Sequence, residues 1–157
     1  MVRFGWPRRP TEDRVQLIDS ERHPTPDPTT VLLRIAAEAV ILQDEGEAVL
    51  AAVSRHEHLG LVAPRGGPVV SRFFGLRDEL PRRCDDPELN RIRALLDTIF
   101  YHHAMQVATA LEFLASDGRS EMLHRQVSGF TGLGAPAGLL DEVYRELRER
   151  RTAAACP

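Results

Sequence analysis

The stretch PELNRIRALLDTIFYHHAMQVATALEFLAS, residues 87–116, decides the fold. Leu89, Ile92, Leu96, Ile99, Val107, Ala110 and Leu114 keep a helical period through the whole segment. Asp86 suits the N-cap, Pro87 the first turn, and Gly118 a left-handed stop just past the end. A helix of this length runs roughly 45 Å, enough to cross a small domain. Its middle holds Tyr101, His102 and His103, the most chemically suggestive cluster in the chain.

Outward from that rod, other segments read as partners for it. Val31–Leu42 is apolar around most of its circumference, the pattern of a helix buried in a bundle or a subunit interface. A helical phase continues to His56, and Asp44-Glu45-Gly46 favours a break or kink within it. Leu59–Pro68 reads as a loop because half of its residues are Gly or Pro. Pro68–Leu80, Ser120–Ser128 and Pro136–Arg150 read as further helices. The last carries acids early and arginines late, as the helix dipole favours. The expected fold is therefore all-α, a compact bundle of five or six helices around residues 87–116. Residues 1–28 form a Pro/Arg-rich arm, 29–151 the bundle, and 152–157 a frayed tail.

Bulk composition excludes several classes. The chain has 157 residues, the size of one ordinary domain, and 43% hydrophobic content is enough for an unstapled core. The net charge of −3 gives no reason to expect nucleic acid as the partner of the whole body. Arginine supplies all 20 basic residues, and with abundant Ala, Gly and Pro this reads as codon composition rather than function. Cys84 and Cys156 lack any ligand spacing and suggest free thiols in a reducing compartment. With no signal peptide and no apolar run long enough to span a bilayer, the expected location is cytoplasmic, without membrane contact. Phe4 and Trp6 among Arg3, Arg8 and Arg9 suit docking on a groove better than stacking on bases.

Candidate chemistry concentrates on the long helix. Its phase places His103 at the centre of the apolar stripe, His102 at the edge, and Gln106 one turn on. These three are the candidate ligand-binding residues. Adjacent helical residues diverge by about 100°, so His102 and His103 cannot readily share one metal. Either one alone is a possible haem or metal ligand. No complete metal set and no cofactor is expected. His56 and His58 read as a helix-end cluster complementing the dipole. A single ExxH, Glu121 to His124, falls short of the two needed for a di-iron bundle.

Arg119-Ser120-Glu121-Met122-Leu123-His124 resembles the R-x4-H motif of the HEPN ribonuclease superfamily, with Ser120 where that family usually has Asn, Asp or His. The resemblance implies a helical bundle that cleaves RNA without metal, usually as a dimer. Arg119 would steady the phosphate charge and His124 would move protons. The leading expectation is instead a non-catalytic binding or regulatory protein. It would hold a protein partner or a small apolar ligand between helices, and it would self-associate through the excess apolar surface.

Overall fold

The computed structural model describes residues 26–116 and 132–155. These form four helices and their connections, with no strand among the described residues. Helix α1 spans Pro28–Ser54, α2 Leu59–Asp78, α3 Pro87–Ala115 and α4 Ala135–Ala155. A fifth or sixth helix is not found among them. The segment expected to supply one, Ser120–Ser128, lies outside the described residues, as does the arm to residue 25.

Two helices start the same way. Asp27 precedes Pro28, and its carboxylate accepts the Thr30 N–H at 3.0 Å. Asp86 precedes Pro87 and accepts the N–H groups of Glu88 (2.7 Å) and Leu89 (3.2 Å). In both, a short acceptor meets orphan donors while proline occupies a position that needs no N–H. Ser116 ends α3.

The break expected near Gly46 is absent, and α1 is one continuous helix. Gly46 is buried, and a Cβ there would lie 3.3 Å from Leu133 and 3.8 Å from Val107. The missing side chain lets another segment close on α1, which interrupts nothing. Helix α1 ends in a Schellman turn. The His56 N–H bonds to the Val53 carbonyl at 2.9 Å and that of Glu57 to the Ala52 carbonyl at 3.1 Å, with His56 left-handed at φ 56°.

The reading of Leu59–Pro68 as a loop is also corrected. That segment is the first half of α2, with Pro64 and Pro68 inside the helix. Val62 and Gly66 face inward, and a Cβ at Gly66 would come within 2.9 Å of Leu111 and 3.2 Å of Val49. Close approach to two helices at once overrides poor local propensity.

Helices α1 and α3 touch each other and both remaining helices, whereas α2 and α4 do not touch. The cross-section is therefore a rhombus with α1 and α3 on its short diagonal. The centre is shared by two helices rather than held by α3 alone. Leu32, Ile35, Phe73, Ile92, Leu96 and Phe100 are among the fully enclosed side chains between them. Helix α4 runs through Thr152 to Ala155, past the Arg150 limit expected for it, although its last turn is exposed. No helix among the described residues is long and apolar enough to cross a membrane.

Candidate functional site

The site is built from a register. Gly46 on α1 lies beside Val107 on α3, and Gly66 on α2 approaches both Val49 and Leu111. Helices α1 and α3 thus run parallel, with α2 antiparallel between them. One turn back from the Gly46–Val107 level, α1 presents Gln43 and α3 presents His103. Phe73 of α2 closes the same level, its ring centroid 5.1 Å from that of His103.

This level is polar and unsatisfied. His103 has no exposed surface, and neither of its ring nitrogens has a hydrogen-bond partner. The Oε1 atoms of Gln43 and Gln106 are likewise buried without a partner. Each such group forfeits its bonds to water at a cost of about 1–3 kcal/mol. Burial pushes the His103 imidazole down to about 4, and His102 adds a smaller push in the same direction. At neutral pH the ring is uncharged, so one nitrogen is a donor and the other an acceptor. Unmatched acceptors therefore outnumber unmatched donors by three to one.

Of the three sequence candidates, His103 is enclosed, Gln106 is half-buried with its oxygen inside, and His102 is exposed. The two imidazole centroids are 6.4 Å apart, and their rings open to different surroundings. No group of three or more metal-ligating side chains occurs among the described residues. Arg119 and His124 lie outside the described residues. Gln43 escaped the sequence reading. Its signal was present, because Ala36, Ala39, Gln43, Gly46 and Leu50 repeat at helical spacing on the inward face.

A cleft of about 340 Å³ opens between α1 and α2. Ala48 and Val49 form its α1 side; Pro64, Pro68 and Val69 form its α2 side. Glu45 and Arg65 supply its charges. Val69 is almost wholly enclosed and sits one helical turn from Phe73, the ring that lies against His103.

Across the bundle, Leu133 is clamped to α1. The Glu47 carboxylate accepts the Leu133 N–H at 2.7 Å, and Leu133 is fully buried. Gly132 adopts φ +88°, and a Cβ there would meet Glu47 Oε1 at 2.8 Å. Both the turn and the carboxylate require glycine at that position.

His58, expected to complement a helix C-terminus, instead caps the start of α2. Its Nδ1 accepts the Gly60 N–H at 3.1 Å. No family model matches this chain, and no significant match was found among curated proteins or solved structures.

Proposed function

We propose that the protein is a non-catalytic helical binding or regulatory protein that holds a small, largely apolar ligand at the Gln43–His103–Gln106 level. The observation that carries this reading is the enclosed imidazole with two unpartnered nitrogens, in a bundle whose Gln43 and Gln106 also bury unpartnered amide oxygens. A ligand suited to that surplus of acceptors is uncharged and brings donors, such as a hydroxyl or an amide N–H, on an apolar body.

Calorimetric titration with 1-naphthol, indole and benzamide tests this, with naphthalene as the comparison lacking a donor. The reading expects donor-bearing probes to bind at least tenfold more tightly than naphthalene, and His103→Phe to remove that advantage. It also expects ligand-free His103→Phe to be at least as stable as the parent, because Phe leaves no unmatched nitrogen. Absence of binding, or equal binding by parent and variant, overturns the reading and assigns the level to trapped water.

Self-association is a separate proposal and has narrower support. Helix α1 meets three helices of its own chain, and Ile41, 68% exposed, is the large apolar side chain it leaves fully outside. Light scattering at micromolar chain concentration decides it: a dimer mass supports the proposal and a monomer mass removes it.

A further inference from the structure

We infer that Leu59–Arg65, the first half of α2, is a gate that pivots at Gly66-Gly67-Pro68 and admits the ligand through the α1–α2 cleft. Only the destination of the ligand rests on the function proposed above; the gate itself does not.

The two halves of α2 are built differently. Gly60, Pro64, Gly66, Gly67 and Pro68 fall within ten residues. Pro64 has no N–H for the Gly60 carbonyl, and Pro68 none for the Pro64 carbonyl. Two rungs of the helical ladder are therefore missing from this half. Each glycine also lowers helical stability relative to Ala, and each proline does so more strongly. The second half, Val69–Asp78, has one glycine, Gly75, and no proline.

Side-chain anchorage has the same asymmetry. In the second half Phe73 packs against Phe100 and His103. Arg72 binds both Glu38 and Glu79, and Arg77 binds Asp97. In the first half, Leu61 is 66% exposed. Arg65 makes one long contact, 3.3 Å, to Glu57, and the end is capped by one bond to His58. Val62 is the one core side chain of this half, and Gly66 at its end is wedged between Val49 and Leu111, which makes it the fixed point about which the rest can turn.

The cleft runs along the flank of this weak half that meets α1. Pro64 and Arg65 form part of its wall, and Val69, just beyond the pivot, belongs to its floor. Lifting Leu59–Arg65 widens the opening toward the ring stack of Phe73 and His103 without disturbing the anchored half. Segments with few buried contacts and a weakened backbone ladder open locally at far lower cost than the whole fold.

Hydrogen exchange on the ligand-free full chain tests the gate alone. Amides of Val62–Gly67 are expected to exchange at least a hundredfold faster than those of Arg72–Arg77. A Cβ at Gly67 meets nothing within 4 Å, so Gly67→Ala adds helix propensity without a clash. It should slow gate exchange about fivefold and leave Arg72–Arg77 unchanged. Pro68→Ala, which restores the donor for the Pro64 carbonyl, should slow it by about a hundredfold. Equal protection of the two halves, or slowing across all of α2, overturns the gate.

Stopped-flow binding of 1-naphthol then tests passage. Gly67→Ala should lower the association rate about fivefold with the same dissociation constant. An unchanged association rate overturns the route through the gate. Failure of 1-naphthol to bind overturns the ligand reading instead, and the exchange result still decides whether the gate exists.

Discussion

His103 buries two unpartnered ring nitrogens in one side chain. Its protonation is linked to folding, and the sign follows from where the proton goes. An exposed imidazole in the unfolded chain takes its second proton near pH 6.5, whereas burial holds the folded ring to about 4. Between those values the unfolded state binds the proton that the folded state refuses. Stability is therefore complete above pH 6.5, declines as pH falls, and levels off below about 4. The loss over that window is about 3 kcal/mol. Denaturant titrations at pH 7 and pH 4.5 should show most of this decline in the parent, and His103→Phe should flatten the difference between the two pH values. Glu38, Glu57, Glu79 and Glu88 are all held below the usual carboxylate range by arginine partners. Their own losses fall below about pH 4.5, outside the window that tests His103. An unchanged pH slope in His103→Phe would show that the imidazole is not the source.

At the scale of the element, neighbouring glycines in α2 should respond with opposite signs. Alanine at Gly67 gains helix propensity in open space and should stabilise by about 1 kcal/mol. Alanine at Gly66 gains the same propensity but pushes its Cβ to 2.9 Å from Leu111 Cδ2 and 3.2 Å from Val49 Cγ1. Overpacking of this kind costs about 1–3 kcal/mol, so the net change should be destabilising. Thermal melts of the two variants check the difference in sign; two shifts of the same sign would mean that Gly66 is not wedged. The same pair shows what local reading can and cannot see. Residues 87–116 were legible because cap, proline and apolar period all agree, and the structure returns Pro87–Ala115. Leu59–Pro68 was not legible as a helix. Its propensity opposes the outcome, and the compensating contacts come from Val49 and Leu111, which lie 17 and 45 positions from Gly66. For the site, the position of His103 followed from periodicity. Gln43 did not, because its importance depends on the level of another helix. The start of α1 at Asp27-Pro28 was readable and overlooked, since it repeats the Asp86-Pro87 signature.

For the whole molecule, ion pairs between helices among the described residues gather toward one end of the bundle. Arg34 and Arg72 bridge Glu38 and Glu79 across the α1–α2 seam, with contacts of 2.5–2.9 Å. Arg77 reaches Asp97 across α2–α3 at 2.6 Å, and Arg91 reaches Glu146 across α3–α4 at 3.4 Å. These side chains remain partly in water, so each isolated pair is worth less than about 1 kcal/mol. Arg72 serves two carboxylates, and of these only Glu79 is also held by Arg34, so its loss leaves Glu38 unpaired and Glu79 with one partner. Arg72→Ala should destabilise by about 1 kcal/mol in dilute buffer. In 1 M salt, where screening acts over about 3 Å, the penalty should fall by roughly half. It should also shrink as pH drops below 4.5, because Glu38 and Glu79 then take up protons and Arg72 has less charge to meet. Urea unfolding at both salt concentrations measures this. A penalty that ignores salt would assign Arg72 to packing by its aliphatic stem. That result would leave the anchored half of α2 held by Phe73 and its aromatic neighbours rather than by charge.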